Sequence, residues 1–447
     1  MTKGSKRQII GRRLKVAHIF QFRSIFFPAF FTVIIFAVTA FNWSEVGFAA
    51  SPQDMKWFND AKFGMFIHWG PCTLKGTEIS WSRAGARPGF DIPGDPPGTI
   101  PPEEYDNLYK QFNPTKFNAD QWMDLAKSAG MKYVVFGTKH HDGFCMFDTK
   151  QTDYNIMHTP FRRDVTAEIA DACHKKGLKL GLYFSAPDWV DPDIDTKNHE
   201  KFLERFRAEI RELCTNYGKV SVFWFDLGFK NVYDCTNTIK MVRELQPGVL
   251  VNDRLEPDPG DFTCPEQEVG PFDRTRTWES CITMGTQWSW KPNDEIKSKK
   301  ECIQALVSCV IRDGNFLLNV GPNSLGEIEP LQQQRLREMG AWLKKYGKSI
   351  YFTRGGPFML GKTGGSCYRG KTIYLHILDW PGDMLTLPAI SPKIKSAKVL
   401  TGGEATWKQT DAGIEISVPK DKRDEVDTII ALDLDGTAAE IKPIRTD

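Results

Sequence analysis

The chain has 447 residues, 41% hydrophobic and 26% charged, an ordinary globular composition with length for one large catalytic domain and a smaller companion. The net charge of +2 conceals a split: residues 1–50 carry seven Lys/Arg against Glu45 alone, so the remainder stands at −4 and has no broad basic surface for nucleic acid. The ten cysteines form neither a Cys-x-x-Cys nor a Cys/His zinc spacing. They read as small core residues, although an exported chain would permit one or two disulfides.

Residues 1–50 read as a targeting segment. A basic stretch to Arg23 precedes the apolar run Ile25 to Phe41, and Ala40, Ala49 and Ala50 offer small residues for cleavage. A secretory signal is the expected reading, with no membrane association after cleavage; an uncleaved anchor is the rival, since the run is at the lower limit for a span. Either places the folded part outside the cytoplasm. Next, Lys62-Phe-Gly-Met-Phe-Ile-His68-Trp69-Gly70 is an apolar strand ending on a histidine. The Gly/Pro-rich stretch 71–102 carries Glu78, Trp81, Arg83 and Arg87, and loops of that length tend to be functional.

A helix is predicted over 118–130, with Asn118 as N-cap and Gly130 at its end. It leads to the strand Tyr133-Val-Val-Phe-Gly-Thr, which changes abruptly to Lys139, His140, His141 and Asp142. Further strand–helix pairs follow: a helix at 165–176 and a strand at 179–184 leading to Ser185, a helix at 199–216 and a strand at 220–225 ending at Asp226, and a helix at 238–245 and a strand at 249–252 before Asp253-Arg254. A short strand at 276–279, a helix at 297–311, a strand at 316–320 and a helix at 331–345 complete the alternation. Polar residues at the C-terminal ends of several strands (His68, His140, Tyr183, Asp226, Arg254) favour a (β/α)8-like barrel over an open sheet, which would gather them at one switch point. Neither a Gly-x-Gly-x-x-Gly nor a Walker loop is present. After residue 350 the pattern becomes short runs between turns, predicting a C-terminal β-sandwich over 351–447 behind a catalytic barrel over 51–350.

Asp226 follows Val-Ser-Val-Phe-Trp-Phe, and a carboxylate at the rim of a buried strand is costly unless paired or used. A partner carboxylate is available from Glu266 or Glu279. Two carboxylates with aromatics and neutral hydrogen bonders form the constellation of a glycoside hydrolase, and the 13 tryptophans suit sugar faces. Two other readings stay open. His68, His140, His141 and Asp226 could form the metal set of a hydrolase, although adjacent His140 and His141 would point to opposite sides of an extended strand. The chain could also be a non-catalytic carbohydrate-binding protein.

At these residues the sequence resembles the α-L-fucosidases of glycoside hydrolase family 29. The matching segments are Lys62-Phe-Gly-Met-Phe-Ile-His-Trp-Gly, Lys139-His-His-Asp-Gly-Phe-Cys, Arg163-Asp164, Leu182-Tyr183, Phe223-Trp-Phe-Asp226, Val251-Asn-Asp-Arg254, Trp278-Glu279 and Gly314-Asn-Phe-Leu-Leu-Asn-Val-Gly-Pro322. The resemblance implies an irregular barrel with a C-terminal β-sandwich, and retaining hydrolysis of terminal α-L-fucosyl linkages on a fucosylated glycan without metal or other cofactor. Asp226 matches the nucleophile, and His68, His140 and His141 match positions that bind the fucose hydroxyls. Glu78 and Trp81 resemble the acidic and aromatic binding pair of the first loop, although Glu78-Ile-Ser-Trp81 departs from the usual Glu-Trp-Tyr. Tyr183, Trp224 and Arg254 match further site positions. Glu266 is the expected acid/base, with Glu279 the runner-up. Arg83 and Arg87 would suit an anionic substrate.

Overall fold

A computed structural model describes residues 50–90, 97–229 and 232–445, so the expected targeting segment lies, but for Ala50, outside the described residues. Helix α1 (Pro52–Ala61) starts at a capping box between Ser51 and Asp54, with Pro52 at its first position. It feeds β1 (Phe63–Ile67), buried at every residue. After the short α2 (Pro102–Tyr105) the alternation sets in, with α3 (Ala119–Ser128), β2 (Tyr133–Lys139), α4 (Val165–Lys176), β3 (Lys179–Ser185), α5 (His199–Asn216) and β4 (Val222–Asp226). It continues through α6 (Cys235–Leu245), β5 (Leu250–Val251), β6 (Glu279–Thr283), α7 (Lys299–Ile311), β7 (Asn315–Val320) and α8 (Pro330–Tyr346). Asn118 caps α3 as expected, by accepting from the Gln121 N–H. Gly177 ends α4 in the left-handed conformation at φ 71°.

The seven strands form one parallel sheet in the order β5-β4-β3-β2-β1-β7-β6. It does not close by ladder pairing. β5 is only two residues long, and the predicted strand at 276–279 instead begins at Glu279. Isolated parallel bridges fill the gap: Asn252 with Phe262, Thr263 with Trp278, and Glu266 with Cys281. The segment 262–266 thus serves as a rudimentary eighth stave between β5 and β6.

Beyond α8 the chain is all β. One six-stranded sheet has the order β12-β15-β10-β9-β8-β16: Ile394–Val399, Thr428–Leu434, Thr372–Ile377, Gly364–Arg369, Arg354–Met359 and Ile444–Arg445. It shares an apolar core with a three-stranded sheet of Leu385–Leu387, Gly413–Ser417 and Thr406–Thr410. The strand at 364–369 opens Gly-Gly-Ser, a sequence that on its own reads as a turn. Cys367, Tyr374, Ile429 and Ala431 pack into the barrel's own core cluster. All ten cysteines are buried and unpaired. No described helix is long and apolar enough to cross a membrane.

A buried ion pair stands where the two lobes meet. His376 Nδ1 lies 2.6 Å from Asp427 Oδ2 with both side chains inaccessible, and His376 Nε2 is 3.3 Å from the Ser349 carbonyl just after α8. Burial alone would lower the His376 pKa, but Asp427 overrides it and raises it to about 10. A raised folded pKa means that the pair's contribution is whole below about pH 6.5 and is lost as pH climbs towards 10. His376→Ala should therefore cost roughly 3–5 kcal/mol in denaturant unfolding at pH 6, because it strands the Asp427 charge. The deficit should shrink as the measurement is repeated towards pH 10; a deficit that grows with pH would contradict the pairing.

Candidate active site

The strands deliver their polar ends to one mouth. His68 follows β1, His140 and His141 follow β2, Tyr183 lies in β3, Trp224 and Asp226 end β4, and Arg254 comes shortly after β5. All seven line a single pocket, joined by Trp81, Trp288 and Glu266 from loops.

Asp226 is anchored on both oxygens. Oδ1 accepts from the Leu227 N–H and from Arg254 Nη1, each at 2.9 Å, and Oδ2 accepts from the Tyr183 hydroxyl at 2.9 Å. Arg254 Nη1 also reaches Glu266 Oε2 at 2.8 Å, while Nη2 donates to the Cys264 carbonyl at 3.0 Å. Two carboxylate oxygens on one nitrogen stand no more than about 6 Å apart, on the short side of the separations that divide retaining from inverting glycosidases. Arg254 can occupy this position because Asn252 continues the ladder where β5 stops: its side chain accepts from the Phe225 N–H at 2.8 Å and donates to the Phe225 carbonyl at 2.9 Å.

The histidines form a neutral wall. Both His140 and His141 line the pocket, with ring centroids 3.9 Å apart, against the expectation of opposite faces. The register shift between Gly137 and Lys139 takes the chain out of strand alternation before the pair. Burial lowers the His68 pKa to about 4 and pushes those of His140 and His141 well below the usual range. Their tautomers follow from donor counting. Asn319 donates through Nδ2 to the Trp288 carbonyl, so its Oδ1 accepts from His68 Nδ1 at 2.7 Å. The Ser185 hydroxyl donates to the Pro187 carbonyl and so accepts from His141 Nδ1 at 2.8 Å. Nε2 of both rings is left as an acceptor for a ligand hydroxyl. Among the described residues no group of three or more His, Cys, Asp or Glu is placed to hold a metal ion.

The two acid/base candidates part company. Glu266 lines the pocket with its side chain 41% exposed. Glu279 is wholly buried outside the pocket lining, its carboxylate accepting from the Tyr133 hydroxyl and, at 3.2 Å, from Trp224 Nε1. Burial raises its pKa to about 7.

The alpha-L-fucosidase family model matches residues 40–348. The chain belongs to this family. It is 30% identical over 416 residues to mouse tissue alpha-L-fucosidase, covering 85% of this chain and 90% of that one. The structure of alpha-L-fucosidase isoenzyme 1 from Paenibacillus thiaminolyticus superposes with a TM-score of 0.77 at 35% identity, over 86% of this chain and 99% of that one. A Bacteroides thetaiotaomicron GH29 alpha-L-fucosidase, trapped as a covalent intermediate with 2-fluoro-fucosyl fluoride, superposes with a TM-score of 0.75 at 29% identity, over 87% and 99%. A covalent intermediate is the mark of retention, and this family member is a retaining glycoside hydrolase of the α-L-fucosidase class.

Not every residue expected at the site lines the pocket. Glu78 is absent from the pocket lining: its carboxylate accepts from the backbone N–H groups of Trp288, Ser289 and Ile79 at 2.7, 3.0 and 2.9 Å. The displaced Glu-Ile-Ser-Trp spelling turns that acid onto the 288–289 backbone. Trp81 does reach the pocket, edge-on to His141 at 5.5 Å. Arg83 is not available for an anionic ligand, since Asp106 clasps it through two 2.7 Å bonds; Arg87 stacks over Trp81 and Trp189 at 4.9 and 5.1 Å. Of the central polar run, Lys139 is buried between Asp188 and Glu209 at 2.9 and 2.6 Å, and Asp142 accepts from the Tyr105 hydroxyl at 2.7 Å. Both brace the loop that carries the histidines.

Sequence reasoning missed Trp288, Asn319, Ser80 and Ser185. A buried Asn inside the apolar strand Phe-Leu-Leu-Asn-Val was a usable signal. Ser80, whose hydroxyl lies 2.6 Å from His140 Nδ1, had none. In an imidazole ¹⁵N NMR titration His68 should stay neutral down to about pH 4, and His140 and His141 should take up protons only well below the ordinary imidazole range. A midpoint above pH 6 for any of the three would contradict this electrostatic picture.

Proposed function

We propose that the chain is an exo-acting hydrolase that removes terminal α-L-fucosyl residues from glycans, with Asp226 as nucleophile and Glu266 as acid/base. The observation that carries this reading is the single Arg254 guanidinium on which both carboxylates converge, at the rim of a pocket walled by neutral histidines and aromatic rings. Neutral imidazole acceptors suit sugar hydroxyls, and the rings of Phe66, Trp224 and Trp288 suit an apolar sugar face. The names of the family and of the related enzymes supply the sugar.

In the first step Asp226 Oδ2 attacks the anomeric carbon. The bond from that carbon to the leaving oxygen breaks, and Glu266 gives its proton to that oxygen. In the second step Glu266 takes a proton from water, whose oxygen displaces Asp226 and restores the starting anomer. Arg254 and the Leu227 N–H hold Oδ1 throughout, leaving Oδ2 with the Tyr183 hydroxyl as its donor. We read residues 1–50 as an export signal, supported by their basic leader and apolar run.

The test is turnover of an aryl α-L-fucoside with the first-formed anomer followed by NMR; α-L-fucose is the expected product, and β-L-fucose would overturn retention and with it the role of Asp226 as nucleophile. Asp226→Ala should lose on the order of 10³-fold or more in kcat and recover with azide; activity near wild type would remove Asp226 as nucleophile. Glu266→Ala should cost much less on an activated aryl fucoside than on a fucosyl disaccharide, since a good leaving group needs little protonation. Equal losses on both would point to another acid.

A further inference from the structure

Glu279 takes no part in the reaction as drawn, yet it is the carboxylate most deeply committed to the barrel. Its carboxylate accepts from the Tyr133 hydroxyl and Trp224 Nε1, two residues of an apolar layer that also holds Phe58, Phe66 and Leu317. Burying a carboxylate is expensive, and satisfying one indole N–H does not call for it. This chain leaves the buried N–H groups of Trp189, Trp278, Trp290 and Trp342 without a protein partner among the described residues. Only an indole whose position matters gains from so costly an acceptor.

The Trp224 indole touches both side-chain donors to Asp226. Tyr183 stacks on it at 5.6 Å and 27°, and the Arg254 guanidinium lies 4.9 Å over its face. A tilt of the indole would move both. Tyr133, the other donor, is seated because residue 64 is glycine: a Cβ there would come within 2.4 Å of the Tyr133 ring. We infer that Glu279 is a positioning residue, which fixes the Trp224 indole as the platform that aims Tyr183 and Arg254 at Asp226. The inference rests on the assignment of Asp226 as nucleophile above.

The experiment is a leaving-group series of aryl α-L-fucosides on full-length Glu279→Leu and Glu279→Gln, with folding confirmed by thermal unfolding. Leucine removes both acceptors and should lower kcat/KM roughly 10–100-fold, as small misplacements of a reacting group do. The loss should be the same factor for every leaving group, without recovery by azide. Glutamine keeps an uncharged, weaker acceptor for the indole and should lower the rate measurably but less than leucine does. Glu279→Leu should be non-additive with Tyr183→Phe, because both act on Asp226; a merely destabilising change would add independently. An unchanged kcat/KM in folded Glu279→Leu overturns the inference and leaves the roles of Asp226 and Glu266 intact. A loss that grows with leaving-group pKa and is rescued by azide would make Glu279 the proton donor, overturning both this inference and the role of Glu266. Should the leucine variant not fold, Glu279→Gln is compared in wild-type and Trp224→Phe backgrounds. The glutamine should lower kcat/KM in the first and have no further effect in the second; equal losses in both overturn the inference.

Discussion

Two carboxylates brought this close would ordinarily repel until one took up a proton. Arg254 moderates that repulsion by pairing with Asp226 and Glu266 through one nitrogen. Burial alone would lower its pKa, but the surrounding acids, Asp226 foremost, raise it well above its ordinary value and secure its charge. The same cation is one of the groups, after burial and His68, that drive protons off His141. One guanidinium thus meets both walls of the pocket, pairing with the two carboxylates on one side and adding to the burial that keeps His141 neutral on the other. Its placement depends in turn on Asn252, which lets β5 end early without leaving the Phe225 backbone unpaired.

Around this centre the polar residues divide between touching the ligand space and holding those that do. His68, His140 and His141 each present a ring to the pocket, and behind them stand Asn319, Ser80 and Ser185. Lys139 and Asp142 flank the histidine pair but face away from the pocket, towards α5 and α2. Glu78 holds the backbone beside Trp288, whose ring in turn packs 4.9 Å from His68. Such supporting contacts keep side chains within the narrow tolerances that catalysis demands.

Most of the barrel was legible because each strand is an apolar run broken by a polar residue, and each helix carries its own punctuation. Asn118 and Gly177 mark ends on local chemistry alone. Less legible was which polar residue faces inward. Strand alternation predicted that His140 and His141 diverge, but a register shift three residues earlier, invisible in composition, turned both inward. Glu78 looked like a ligand because loop carboxylates at a barrel mouth often are. In the structure its carboxylate accepts from backbone amides 210 and 211 residues away in sequence, which no local pattern records. The Glu266 and Glu279 alternatives could not be separated by spacing, since the difference between them is depth.

The barrel's closure by bridges rather than by a ladder carries a mechanical consequence. Asp226 rides on β4, laddered to β3 and β5 inside the sheet and fixed from both oxygens. Glu266 rides on the stitched seam between β5 and β6, held by single bridges and partly open to solvent. Regions with few ladder bonds and solvent access open at lower free energy than strand cores. The pair proposed as catalytic is thus built like a vice with one fixed jaw and one sprung jaw. In the proposed reaction the fixed jaw meets the same anomeric carbon in every substrate, while the sprung jaw meets whatever group is leaving.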